Sequence, residues 1–137
     1  MKTEFNLSRG IICFNGKYLI IQREKNDVPY ESEKWEIPGG RIKEGENPEK
    51  ALFRTVEEET GLEVKLIREL SLLEKEDNEF KSRCHVYLLE SSSDDVKLDE
   101  GHIDYKWINP EEFGNYPLAL FAKLLGKYFN NPDEYLN

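Results

Sequence analysis

Three adjacent glutamates, Glu57, Glu58 and Glu59, close a segment that opens with Pro38-Gly39-Gly40 and ends at Gly61-Leu62. Carboxylate oxygens at that density suit a hard divalent cation such as Mg²⁺. A solvated acidic helix face is the competing interpretation of any such run. Spacing bears on the choice. Asn47-Pro48-Glu49 reads as N-cap, first helical residue and first-turn acid, which predicts a helix over 48–60 stopped by Gly61. Taking Thr55 as zero and about 100° per residue, Glu58 falls near −60° and Glu59 near +40°. Both acids then flank Thr55 on one face, while Glu57 points away and reads as an ordinary solvated acid. Leu52, Phe53 and Val56 form the packing side. Arg54 lies four residues before Glu58, within reach of an ion pair. Two like charges at the edge of an apolar face resist burial without compensation, and a metal is the most direct compensation. The Pro38-Gly39-Gly40 turn could add a backbone carbonyl, because glycine lets the chain approach a ligand closely.

The elements that must hold this helix are readable in outline. Leu7 to Phe14 is apolar, Asn15-Gly16 signals a type I′ hairpin, and Lys17 to Arg23 is the returning strand. Arg23 ends that strand, placed either to bind a phosphate or to cap the sheet rim in a salt bridge. Glu24 to Lys34 reads as a mobile loop of a length that is often functional. Beyond the helix, Glu63 to Glu74 is a β segment with Val64, Leu66, Leu70 and Leu72 on one alternating face. A turn at Asp77-Asn78 leads to a strand over Phe80 to Glu90. His85 alternates with Cys84 there, so one of the two faces the core. After a loop that includes most of 97–103, Tyr105 to Ile108 forms the last strand. Asn109-Pro110 starts a short helix, and a final helix runs from Pro117 to about Phe129. Its stripe of Leu118, Phe121, Leu124, Leu125 and Tyr128 reads as packing. The order β-β-β-α-β-β-β-α implies an α/β fold with a mixed sheet and helices on its faces.

Composition excludes some partners. The 137 residues suit one domain spanning 1–137, with 38% hydrophobic and 34% charged residues and a net charge of −9. That charge argues against nucleic-acid polymers, yet permits a phosphate-bearing small molecule, since a bound cation reverses the local sign. Cys13 and Cys84 lack metal or redox spacing and read as buried free thiols. The amino-terminal MKTEFNLSRG has no apolar signal core, and no run is long enough to span a bilayer. A cytoplasmic protein is the expectation.

Gly40 to Leu62 resembles the Nudix box, GX5EX7REUXEEXGU with U aliphatic. The chain supplies Gly40, Glu46, Arg54, Val56, Glu58, Glu59, Gly61 and Leu62 at the required spacings. WEIPGG at 35–40 and HIDYKWI at 102–108 are also similar to that family. The resemblance implies an α/β/α sandwich of the MutT-like Nudix hydrolases. Their activity is hydrolysis of a nucleoside diphosphate linked to another moiety, by water attack on phosphorus assisted by Mg²⁺ or Mn²⁺. On this resemblance Glu58, Glu59 and the Gly39 carbonyl are metal ligands, Arg54 orients the helix-end acids, and Glu46 supports the loop. Arg23 and Arg41 are the substrate-binding cations, and a homodimer is a possibility the family carries.

One position departs from the pattern. Where the box has a glutamate after the arginine, this chain has Thr55, uncharged at neutral pH. In the family that glutamate commonly joins the metal cluster, and in some members it is the general base. Glu100, His102 and Asp104 are available as replacements, and Glu100 is the assigned candidate. Glu58, Arg54 and Glu100 thus form the catalytic set. The alternative is a Nudix-fold binding or sensor module with turnover weakened by Thr55. Proline and tyrosine markers of substrate subgroups are absent from the region around Asp77 to Phe80. Tyr30, Trp35 and Phe80 could stack on a base or could pack in the core.

Overall fold

The computed structural model describes residues 2–137. A single mixed sheet carries β1 (Thr3–Phe14), β2 (Lys17–Arg23), β3 (Trp35–Glu36), β4 (Gly39–Arg41), β5 (Val64–Glu76), β6 (Phe80–Ser91) and β7 (His102–Ile108). β1 is the long central strand. It runs parallel to β6 along most of its length, from Thr3↔Phe80 to Cys13↔Glu90. On its other edge it changes partner. Leu7, Ser8 and Arg9 pair antiparallel with β4, whereas Cys13 and Phe14 pair with β2. β2 in turn pairs with β3 and β7, and β5 closes the far edge against β6.

Both faces are covered, which is why β1 and β2 contain unbroken apolar runs. Alternate residues serve opposite layers. Ile12, Leu19 and Ile21 pack with Leu52 and Val56 of α1 (Pro48–Thr60). Their neighbours Ile11, Tyr18 and Ile20 pack with Phe113, Leu125, Tyr128 and Phe129 on the other side. A mixed sheet between two helical layers is the α/β/α sandwich expected from the sequence.

The helix begins and ends as its residues dictate. Asn47 Oδ1 accepts the Lys50 N–H at 2.8 Å, and Pro48 occupies the first turn. Gly61 stops the helix at φ 69°, its N–H on the Glu57 carbonyl.

Four expectations are corrected. Phe53 is 37% exposed, and the helix instead buries Ala51, Leu52, Thr55, Val56 and Thr60. In β5, register shifts between Leu66 and Arg68 and between Glu69 and Ser71 break the single alternating face. Val64 and Leu66 therefore pack on the α1 side, Leu70 and Leu73 on the opposite side, and Leu72 is exposed. The final helix is divided. Residues 117–119 run beside β3, where Trp35 N–H donates to the Pro117 carbonyl and the Ala119 N–H to that of Trp35. Helical turns follow only at α2 (Leu120–Lys123), α3 (Gly126–Asn130) and α4 (Pro132–Tyr135). Leu124 of the expected packing stripe is exposed. Lastly, β7 begins at His102 rather than Tyr105, so the end of the stretch expected as loop belongs to the sheet.

Among the described residues no helix is long and apolar enough to cross a membrane.

Candidate active site

The site forms where β1 exchanges β4 for β2. Gly39, the first residue of β4, has φ 146°, and a Cβ there would stand 2.2 Å from the Ser8 carbonyl oxygen. Only glycine allows β4 to lie this close to β1. The turn then reaches the end of α1, where the Gly39 N–H donates to Glu59 Oε1 at 2.8 Å.

The carboxyl end of α1 recruits the remaining groups. Helix ends leave carbonyls without intrahelical partners. Here the Thr60 carbonyl accepts the Lys97 N–H, and the Glu59 carbonyl lies 3.4 Å from the Asp99 nitrogen. This anchoring of 97–99 delivers His102, at the start of β7, to the cleft. His102 Nε2 donates to Glu36 Oε1 and Nδ1 to Asp99 Oδ1, each at 2.7 Å. Glu59 Oε2 is 3.8 Å from His102 Nε2.

Glu36 is 4% exposed and is the hub of the cluster. Arg23 Nη1 lies 3.3 Å from its carboxylate and Arg9 Nη1 3.7 Å, while Arg9 also donates to the Ile37 carbonyl. Burial opposes its charge, but Arg9, then His102 and Arg23, hold the carboxyl below the usual range. Burial, and next the neighbouring Glu36 charge, push Glu59 the other way, up to about 7. For His102 burial disfavours the imidazolium, yet its bonds to Glu36 and Asp99 prevail and raise it to about 9.

Glu36, Glu59 and His102 can each present one ligand atom with all three within 4.8 Å of one another. The two carboxylates suit Mg²⁺ or Mn²⁺, while His102, both of whose ring nitrogens donate here, would join them only by giving up its Nε2 proton. Burial and the Glu36 charge keep the Glu59 proton toward neutrality despite Gly39, His102 and Arg9, and a divalent cation would offset both. The residues present therefore fit a metal.

The sequence-predicted residues divide into two groups. Gly39, Glu59, Arg23 and Arg41 line one cleft of about 830 Å³ together with Arg9 and Glu36. Arg54 and Glu58 lie on the outer side of the helix. Arg54 clasps Glu46 through Nε and Nη2 at 2.7 and 2.8 Å, donates to the Arg41 carbonyl, and stands 3.4 Å from a Glu58 carboxylate that is 57% exposed. Glu59 turns into the cleft and Glu58 toward solvent. Glu57 is exposed, as expected.

Thr55 is 6% exposed and directs its hydroxyl back to the Ala51 and Leu52 carbonyls at 2.9 and 3.2 Å. Its Cγ2 would meet a Cβ on Gly40 at 3.1 Å. Glu100 is exposed, as is Asp104, whose Oδ1 accepts the Tyr105 N–H. Of the three proposed replacement bases, His102 alone lies in the cluster. On β6, Cys84 is the core-facing residue, and His85 turns toward Glu69 at 3.6 Å.

Sequence reasoning missed Glu36, Arg9 and Asp99. An acid inside the apolar WEI patch was the available signal for Glu36, since a charge there needs partners. Arg9 and Asp99 offered none.

A family model described as the NUDIX domain matches residues 4–129. The chain belongs to that family. Nucleoside triphosphatase NudI of Escherichia coli O81 (strain ED1a) is 28% identical over 130 residues, covering 84% of this chain and 92% of the relative. Nudix hydrolase 5 of Arabidopsis thaliana is 28% identical over 107 residues, 75% of this chain and 35% of that protein, so the chain spans about a third of this plant relative. Among solved structures, the MutT protein from Methanosarcina mazei Go1 superimposes with a TM-score of 0.82 at 25% identity, covering 97% of both chains.

Proposed function

We propose that this chain is a hydrolase that uses Mg²⁺ or Mn²⁺ to cleave a nucleoside diphosphate linked to another moiety, by attack of water on phosphorus. The observation that carries this reading is Glu59, held in the cleft by Gly39 and crowded by Glu36 until its carboxyl titrates near 7. When bound, the metal would polarise phosphate oxygens and offset charge developing in the displacement. Glu59 would hold it from the cleft; the family resemblance adds the Gly39 carbonyl and Glu58, and Glu58 would have to leave Arg54 and turn inward to reach it. Arg9 and Arg23 would bind phosphate. Each keeps a buried Nε without a hydrogen-bond partner, and both side chains line the cleft. Glu36 fixes them from behind. His102, placed against Glu59 and braced by Asp99, would hold the proton that the carboxylates compete for. Glu100, exposed and two residues before His102, stays a candidate base, and Arg41 a further substrate-binding cation.

A nucleotide panel with millimolar-range Mg²⁺ or Mn²⁺ tests the proposal. The parent should release phosphate, pyrophosphate or a nucleoside monophosphate, and Glu59→Gln should lose that release by about 10²–10³-fold. Unchanged turnover in Glu59→Gln would remove Glu59 from the mechanism.

Thr55 favours a second reading. Its buried, back-bonded hydroxyl puts no charge where the family places a carboxylate, which is consistent with nucleotide binding or sensing at weak turnover. On that reading Thr55→Glu gains activity.

A further inference from the structure

β7 is an open edge of the sheet. It pairs with β2 on one side, and among the described residues no strand pairs with its other side. The hydrogen bonds of β2 show which β7 groups point outward. Arg23 N–H goes to the Lys34 carbonyl beside β3, and Glu24 N–H to the Gly101 carbonyl ahead of β7. Backbone groups alternate sides along a strand, so those of Ile21 also face β3. Tyr105, opposite Ile21, therefore turns its own N–H and carbonyl to the open edge. Its N–H is met there by the Asp104 side chain, Oδ1 accepting at 2.8 Å.

The side chains along this edge are open too. Residues 103–106 are exposed in succession, with Ile103 at 56% and Tyr105 at 36%. Among the described residues no opposite charge lies within 4 Å of Asp104 or Lys106, and Lys106 Nζ stands 5.7 Å from the centre of the Tyr116 ring. Charges on an edge strand usually keep other strands away. Here they alternate in sign, which changes the outcome for one partner. If two copies pair antiparallel about a two-fold axis at Tyr105, Asp104 of each chain lies opposite Lys106 of the other. The two Tyr105 residues then exchange both backbone hydrogen bonds, and Ile103 comes toward Trp107 at each end. Centring the axis on Asp104 or on Lys106 would instead set like charges face to face. The opposite edge, β5, is interrupted by two register shifts, whereas β7 holds one register from Asp104 to Ile108.

We propose that the β7 edge is the contact with a second copy of this chain, joining two sheets at Tyr105 with Asp104 and Lys106 paired across the axis. The contact does not depend on hydrolysis, although β7 begins at His102 and so leads out of the proposed active site. An interface this short is weak, so the dimer belongs to micromolar rather than nanomolar concentrations.

Sedimentation equilibrium of the full chain over roughly 1–500 μM, a range suited to a small interface, tests the proposal. The parent should rise from the mass of one chain toward that of two. Asp104→Lys and Lys106→Asp should each weaken association by at least about tenfold, because both pairs across the axis become repulsive. Mixed in equal amounts, these two variants should associate with each other, since the like charges of each chain then face their opposites. Tyr105→Pro should stay monomeric, because proline is tolerated where the N–H points out of a sheet and it removes the central donor. Thermal melting identifies a variant that fails to fold, and if Tyr105→Pro is one, the mixed charge variants decide. A parent that stays monomeric throughout would leave the edge to a strand of another protein and overturn the proposal. So would a dimer that persists in folded Tyr105→Pro, or folded charge variants that do not associate when mixed.

Discussion

Glu58 and Glu59 are adjacent, chemically identical and differently used. Glu59 sits in a mostly buried cluster with Glu36 and His102, where burial and like charge hold its proton to about pH 7. Glu58 belongs to an outer strap in which Arg54 grips Glu46, and more than half of its side chain meets water. Within that strap, hydrogen bonds from Arg54 and the Lys43 N–H lower the Glu46 carboxyl to about 2. The inner cluster is unfavourable electrostatics held together by its neighbours, whereas the outer strap is satisfied as it stands. A site that must take up a cation gains from the first arrangement, and a loop that must keep its shape gains from the second.

If that contrast is right, the two regions should respond unequally to loss of one carboxylate. Glu36→Gln leaves Arg9, Arg23 and His102 without their buried partner, and should cost about 3–5 kcal/mol in urea denaturation, the range for breaking a buried ion pair. A loss below about 1 kcal/mol would show that water already compensates the cluster.

Next in size is a pH effect. His102 is raised from 6.5 to about 9 in the folded protein. Between those values the folded state holds the proton more tightly than the unfolded one. The stabilisation is therefore complete below pH 6.5 and is lost as pH rises through 9. It amounts to at most ~3 kcal/mol. Melting curves of metal-free protein should show this decline, and His102→Gln should flatten it.

Arg54→Gln is expected to have the smallest effect. It gives up charged hydrogen bonds at a partly exposed strap, and a fall in Tm of about 3–6 °C is expected. A larger drop than for Glu36→Gln would invert the comparison.

What could be read from the sequence was mostly local or fixed by spacing. Asn47, Pro48 and Gly61 mark the helix because capping depends on neighbouring residues. The box residues mark the family because they recur at set intervals. The Glu36–His102 contact joins residues 66 positions apart, and only the pairing of β2 with both β3 and β7 brings them together. Alternation predicted one face for β5, but bulges reassign faces without a signal in residue type. The division of the last helix follows from residues 117–119 bonding to Trp35, a tertiary claim on backbone that is apolar enough to read as helix. Helical angles placed Glu58 and Glu59 correctly relative to each other but could not say which way the helix was rolled. Burial of Ala51, Leu52, Thr55 and Val56 sets that roll.

The central claim is that Glu59 lies at a working metal site although Thr55 has replaced the neighbouring acid. The most direct test is hydrolysis of a nucleotide panel, with Mg²⁺ or Mn²⁺, by parent, Glu59→Gln and Thr55→Glu side by side. The account predicts metal-dependent product release by the parent and its loss in Glu59→Gln, with Thr55→Glu reporting how much a further carboxylate adds. Release by Glu59→Gln equal to that of the parent would contradict it.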